Sequence, residues 1–275
     1  MKKKGQNKSF SLCNFFSKNH RGQVTIFIIL AIIIASSIIL LVFSRGGEVL
    51  KVGEASEKNP GNFLSVCLEE KMNEAINLIS SQGGYASNPL NKTFRFNDET
   101  SSTDISYLCY TNNYYTPCIV QEPMLIKHLK NEIKNYISYD VKDCFNKLAS
   151  SLESQGFDAE AEYNGFEIEL RERKVITNIS AKLILTKSGE TSSYEDLKIT
   201  TLSRFYETTS VVQEIINQEA VYCNFEYAGY MLLYPQWEID KFRTSDSVII
   251  YTVKHKDDEN KFKFAIRGCV IRPGI

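Results

Sequence analysis

Seven cysteines are the residues of this 275-residue chain whose type and spacing are best suited to chemistry. Cys13 lies in a basic N-terminal segment, and six follow much later: Cys67, Cys109, Cys118, Cys144, Cys223 and Cys269. An even set of cysteines in an oxidising compartment is typical of disulfide bonds. Six cysteines permit 15 pairings, among which the sequence alone does not choose. We predict Cys67 with Cys144, which joins two predicted helices, Cys109 with Cys118, which closes a short loop, and Cys223 with Cys269.

A zinc site is the other chemistry that cysteines support. Zinc ligands usually occur as closely spaced cysteine or histidine pairs. No two cysteines here have the CxxC spacing, and His128 and His255 belong to no ligand motif. We therefore expect neither a metal nor a cofactor.

Catalysis has few candidate residues in this sequence. A nucleophile elbow, a Walker loop and a dinucleotide-binding fingerprint are all absent from the sequence, which has only three histidines. Glu167 and Glu169 alternate with apolar residues, which is typical of the solvated face of a strand. We predict that the protein is not an enzyme, and a surface hydrolase is the weakest of the functions considered.

Four tyrosines lie between or beside two of the cysteines, Cys109 and Cys118. They are Tyr107, Tyr110, Tyr114 and Tyr115. A tyrosine offers a large rigid contact area and a polar tip, so tyrosines on a loop closed by a disulfide can form a recognition surface. Packing within a strand is the alternative, and we favour it. The four tyrosines remain the candidate binding surface.

The first structural element along the chain is predicted from one strongly apolar segment. Residues 24–43 contain no charge, proline or glycine and are apolar on every face of a helix. At about 1.5 Å per residue, such a helix spans the roughly 30 Å core of a bilayer. We predict a transmembrane helix over residues 23–43, with the lipid bilayer as a partner.

The charges around this segment predict its orientation. Residues 1–22 carry six lysines and arginines and no acidic residue. Because the whole chain has a net charge of −1, the remaining residues carry −7. Basic residues stay preferentially on the cytoplasmic side, so we predict a single-pass protein of the cell membrane with its C-terminal part outside. A charge of −7 disfavours nucleic-acid binding. A cleaved secretory signal is the alternative, but its apolar region is usually only about 7–15 residues long.

The junction before the apolar segment, Arg21-Gly22-Gln23, resembles the class III signal sequence of archaeal type IV pilin-like proteins. The resemblance covers about residues 18–43. It implies that a prepilin peptidase cleaves between Gly22 and Gln23, and that other pilin-like or surface subunits are partners. Thr25 and Phe27 stand where the family usually has serine and glutamate. Phe27 cannot supply the carboxylate that is thought to pair with a neighbouring subunit.

Helical spacing of apolar residues predicts three helices after a polar linker. They cover about residues 62–81, with Asn62 as N-cap, residues 123–154, and residues 204–222.

Alternating residues predict an antiparallel sheet after residue 156. Its hairpin turns are predicted at Asn164-Gly165, at Ser188-Gly189 and between residues 256 and 260. Two or three helices packed on an antiparallel sheet form an α+β domain.

These elements predict four segments and a function. The segments are a cytoplasmic leader (1–22), a transmembrane helix (23–43), a linker (44–61) and an extracytoplasmic α+β domain (62–275) that has a possible boundary near residue 156. We predict a membrane-anchored structural or interaction protein of the cell surface, pilin-like at its N-terminus. The alternative is a membrane-tethered binding or sensor module that does not polymerise.

Overall fold

The computed structural model describes residues 59–97 and 100–272, together with Ile34. Five helices lie between residues 59 and 272: α1 (Pro60–Ser81), α2 (Leu125–Tyr136), α3 (Ser138–Ser154), α4 (Phe205–Tyr222) and α5 (Tyr227–Leu233). Nine strands accompany them: β1 (Asn91–Phe94), β2 (Thr103–Tyr110), β3 (Ile119–Val120), β4 (Asp158–Arg171), β5 (Lys174–Lys187), β6 (Glu190–Leu202), β7 (Trp237–Arg243), β8 (Ile249–His255) and β9 (Lys261–Arg267).

The larger sheet has six strands from both ends of this region. Its order is β1-β2-β9-β8-β7, and the short strand β3 also pairs with β2. All neighbours are antiparallel except β2 and β9, which run parallel with Tyr107 opposite Ala265. The last strand of the chain therefore lies in the middle of the sheet, which holds the early and late parts of the chain together.

The smaller sheet is an antiparallel meander of β4, β5 and β6. The turn between β5 and β6 is made by Ser188 and Gly189, which both have a positive φ. Every second residue of β5 from Val175 to Leu185 is buried, and Ile176 on the opposite face is buried as well. This sheet buries one face against the helices.

Helices α1 and α4 contact strands of both sheets. Helix α1 contacts β9 and β6, while α4 contacts β8 and β9 as well as β4 and β5. One cluster of buried apolar side chains runs through the helices and both sheets. A second, smaller cluster covers the other face of the larger sheet and includes Ile105, Tyr107 and Ile250. The larger sheet therefore buries side chains on both faces.

The prediction of a transmembrane helix has to be corrected. No helix in the described part of the chain is both long enough and apolar enough to cross a membrane. Of residues 23–43, only Ile34 is described; it is helical and 51% exposed. The other residues of the predicted span lie outside the described residues, as does the leader at 1–22.

The predicted number of helices and the single antiparallel sheet are also wrong. The described part of the chain is α+β, but it has five helices and two sheets, and it contains a parallel strand pair. The helix predicted over residues 123–154 is interrupted at Ile137, where α2 ends and α3 begins. The Ser138 hydroxyl donates to the carbonyl of Asn135 (3.0 Å), and this local bond competes with the regular backbone pattern.

Two further local predictions differ from the structure. Asn59 rather than Asn62 is the N-cap of α1, because the Asn59 side chain accepts a hydrogen bond from the Asn62 amide (3.1 Å). Asn164 and Gly165 do not form a hairpin turn. They lie inside β4 at a shift in its register with β5, where Gly165 has φ +110°. A glycine in a strand supplies the left-handed conformation that such a bulge needs.

Candidate functional site

Three disulfides lie within the described part of the chain. Cys67 of α1 is bonded to Cys144 of α3, with their Cα atoms 6.0 Å apart. Cys109 of β2 is bonded to Cys118 (5.3 Å), and Cys223 at the end of α4 is bonded to Cys269 (5.9 Å). These are the three pairs named in the sequence analysis. Two of them meet at one end of the larger sheet.

The segment after β9 holds the loop that the Cys109–Cys118 disulfide closes. The amide of Tyr115 donates to the carbonyl of Val270 (3.0 Å), and the amide of Cys269 donates to the carbonyl of Thr116 (2.7 Å). The guanidinium group of Arg267 donates to the carbonyl of Thr111. The loop is therefore fixed by hydrogen bonds along its length as well as by its own disulfide.

Gly268 allows this close approach. A Cβ atom at Gly268 would lie 2.9 Å from both the Cβ and the backbone nitrogen of Cys118. A contact that short with a backbone atom cannot be relieved by a side-chain rotation, so the position requires glycine. Cys269, the next residue, carries the second disulfide. The two disulfides are consequently held next to each other.

The four predicted tyrosines divide into two pairs. Tyr107 is buried in the smaller apolar cluster, and its ring centroid is 5.0 Å from that of Tyr110. Burial raises the pKa of Tyr107 to about 12. Tyr114 and Tyr115, in contrast, are 41% and 56% exposed. The first pair packs in the sheet, and the second pair faces solvent.

The exposed tyrosines are held in place by the C-terminal segment. Tyr115 has a positive φ of 61°, and its hydroxyl accepts a hydrogen bond from the amide of Arg272 (3.3 Å). The guanidinium carbon of Arg267 lies 5.8 Å from the centroid of the Tyr114 ring, within the usual range for a cation–π contact. Both rings are therefore oriented before any partner binds.

Other large apolar side chains are exposed beside these anchored segments. Ile119 follows Cys118, Ile271 precedes Arg272, and Tyr222 precedes Cys223; they are 70%, 68% and 73% exposed. We call Tyr114, Tyr115, Ile119, Ile271 and Tyr222 the tyrosine surface. Ile119, Ile271 and Tyr222 were not predicted from the sequence, although Ile119 and Tyr222 each adjoin a cysteine.

The tyrosine surface is suited to contact rather than to chemistry. Its members offer aromatic and aliphatic area with phenol hydroxyls, and none of them is a carboxylate, an amine or an imidazole. Large apolar side chains that are exposed close together on a folded domain are typical of interaction sites. Tyr114 and Tyr115 lie on a loop with a disulfide at its base, which lowers the conformational entropy that is lost on binding.

The other predicted site residues lie elsewhere. Gly22 and Gln23 lie outside the described residues. Glu167 pairs with Lys134, and Glu169 pairs with Arg171, so the two carboxylates have separate partners. The described residues contain no group of three or more histidine, cysteine, aspartate or glutamate side chains that could hold a metal ion.

No family model matches this chain, and comparison with curated proteins and with solved structures finds no similar protein either.

Proposed function

We propose that this protein is a cell-surface interaction protein that binds another surface protein through the tyrosine surface. One observation carries the proposal, namely that large exposed side chains sit on segments fixed by two adjacent disulfides. Tyrosine is enriched among the residues that contribute most to binding energy, and rigid anchors bind with a small entropic cost.

The disulfides also support a location outside the cytoplasm. Disulfides persist in oxidising compartments and are rare where thiols are kept reduced. A partner in the same compartment would be another protein of the cell surface. The resemblance to pilin-like proteins at Arg21-Gly22-Gln23 stays a prediction, since these residues lie outside the described part of the chain.

Site-specific photo-crosslinking in the cells that make the protein tests the proposal. A benzophenone amino acid would replace Tyr115 in one variant and Tyr222 in a second. A third variant would carry it at Tyr139, which is 77% exposed on α3 and serves as the control. We expect the first two variants to give a discrete crosslinked product with a different protein, identified by mass spectrometry, and the Tyr139 variant to give none.

Three outcomes would contradict the proposal. A product containing two copies of this chain would indicate a self-assembling structural subunit instead of a binding module. Equal labelling at all three positions, or no product at Tyr115 and Tyr222, would show that the tyrosine surface has no specific partner. A Tyr115→Ala change combined with crosslinking at Tyr222 provides a further check, because it should weaken the product about tenfold.

A further inference from the structure

Lys241 of β7 places its side-chain nitrogen between an amide and a buried carboxylate. The Lys241 Nζ atom lies 2.9 Å from Oδ1 of Asn224 and 3.0 Å from Oε1 of Glu219. It also donates to the backbone carbonyl of Phe225, at 3.4 Å. These three acceptors fix the position of the nitrogen. An amine, a carboxamide and a carboxyl group held together in this way are the groups needed to form an amide bond between two side chains.

The Lys241 nitrogen is also close to the carbon atom of the Asn224 amide. A C=O bond is about 1.23 Å long, so a nitrogen that is hydrogen-bonded to Oδ1 lies roughly 3–4 Å from Cγ. Reacting atoms about 3–3.5 Å apart are near the geometry of attack. Asn224 is exposed, so its side chain has room for the small rotation that would bring Cγ towards the amine.

The carboxylate beside this pair is shielded from water. Glu219 is buried, and the side chain of Lys241 is 14% exposed. The Tyr251 hydroxyl donates to the same oxygen of Glu219, and the Tyr251 ring packs edge to face with that of Phe225. Burial disfavours the charged forms of amines and carboxyl groups alike. Transfer of one proton from Lys241 to Glu219 would remove both charges and leave a neutral amine, which is the nucleophilic form.

We propose that Lys241 and Asn224 form an intramolecular isopeptide bond, with Glu219 as the group that carries the protons. The Lys241 amine attacks Cγ of Asn224, the bond between Nζ and Cγ forms, and the bond between Cγ and Nδ2 breaks. Glu219 keeps the first proton that it takes from Nζ and relays a second one to the leaving nitrogen, which departs as ammonia. The reaction is a transamidation, so it needs no oxidant, reductant or other reactant.

The product suits the same surroundings. The protonated Glu219 can donate to the carbonyl of the new amide and still accept from the Tyr251 hydroxyl. No charge then remains buried among these groups, and ammonia can leave to solvent because Asn224 is exposed. The new bond would enclose α5 in a covalent loop and join β7 to the end of α4, next to the disulfide of Cys223.

The tyrosine surface shares no residue with Glu219, Asn224 and Lys241. The failure of either proposal would therefore leave the other standing.

Peptide mapping by mass spectrometry of the full-length protein, after reduction and alkylation of its cysteines, tests this assignment. We expect a peptide in which the segments that contain Asn224 and Lys241 are joined. Its mass should be lower, by one ammonia, than the sum of the two segments. Recovery of the two segments only as separate peptides, with the amide and the amine intact, would overturn the proposal.

Asn224→Ala and Lys241→Arg should each abolish the joined peptide, because one removes the carbonyl and the other replaces the amine. Lys254→Arg, on β8, is the matched control and should leave the joined peptide unchanged. Glu219→Gln keeps the size of the side chain but cannot carry protons, so it should lower the joined fraction about tenfold or more.

Circular dichroism would verify that each variant is folded. Asn224→Ala changes an exposed residue, so it tests the reaction even if Glu219→Gln does not fold. A joined peptide that persists in Asn224→Ala would overturn the assignment of the bond. An undiminished joined fraction in folded Glu219→Gln would overturn the role of Glu219.

Discussion

Glu219 is an acidic residue buried in the core. It is 3% exposed in α4, and its carboxylate accepts hydrogen bonds from the Lys241 ammonium (3.0 Å) and from the Tyr251 hydroxyl. Asn224 also accepts from Lys241, at 2.9 Å. Burial, followed by the charge of Glu219, raises the pKa of Tyr251, so its hydroxyl stays protonated as a donor. The buried carboxylate is stable only while both donors remain.

Lys241→Met should destabilise the protein by about 3 kcal/mol. The change removes the only cation within hydrogen-bonding distance of Glu219 among the described residues and leaves a buried carboxylate with one neutral donor. Urea unfolding followed by circular dichroism measures the effect. Lys254→Met, on the neighbouring strand β8, is the control and should change stability by less than about 0.5 kcal/mol. Equal effects of the two changes would show that Glu219 does not depend on Lys241.

At the scale of elements, the short edge strand β1 is attached by an ion pair as well as by its pairing with β2. The Lys92 ammonium lies 2.7 Å from a carboxylate oxygen of Asp246, in the loop between β7 and β8. The hydrogen bonds that Asp246 accepts from Lys92 and from the Thr244 hydroxyl hold its pKa below the usual 3.8. The ionised form of Asp246 therefore stabilises the folded state.

Asp246→Asn should lower stability at neutral pH by less than about 1 kcal/mol, because the pair is partly exposed. The folded-state pKa of Asp246 lies below its unfolded value. The stabilisation is therefore complete above about pH 4 and is lost as the pH falls through the folded-state pKa. Urea unfolding between about pH 2 and pH 7 should show the difference between wild type and variant closing on acidification. Lys92→Met should give the same profile, whereas Glu238→Gln, an exposed control, should not.

Local sequence patterns predicted which helices and strands form better than they predicted where these elements end or which strands pair. The apolar spacing in α4 and the alternation in β5 identify both elements, because each depends on neighbours along the chain. The break at Ile137 coincides with a bond from the Ser138 hydroxyl to a backbone carbonyl, and the bulge at Gly165 uses a residue pair that is equally suited to a turn. The parallel pairing of β2 with β9 joins residues more than 150 positions apart, which no local pattern indicates.

For the molecule as a whole, the cysteine pairs and the two exposed tyrosines were predicted from the sequence, but the tyrosine surface was not. The tyrosine surface exists because the segment after β9 lies against the Cys109–Cys118 loop, and this contact requires Gly268. A cleft on the larger sheet likewise combines Phe96, which follows β1, with residues of β7, β8 and β9. Both arrangements follow from the order of the strands in the larger sheet, which was not predicted from the sequence.

The lengths of the loops that the disulfides close predict how much stability the fold loses when each disulfide is removed. A disulfide stabilises chiefly by restricting the unfolded chain, and the effect grows with the length of the loop that it closes. Cys67 and Cys144 are separated by 77 residues, whereas Cys109 and Cys118 are separated by 9. Replacing both members of the first pair by alanine should therefore cost about 2 kcal/mol more than replacing both members of the second.

Urea unfolding of the two double variants measures this difference, and non-reducing peptide mapping would verify that the remaining two disulfides are intact in each. Cys109 and Cys144 are both buried, so each alanine variant also loses buried sulfur. The destabilisation caused by this lost packing therefore partly cancels when the two variants are compared. The Cys109–Cys118 variant could instead prove the less stable of the two. The packing of that loop against Gly268 would then contribute more to stability than the restriction of the unfolded chain. The tyrosine surface would then depend on its disulfide for its shape as well as for its rigidity.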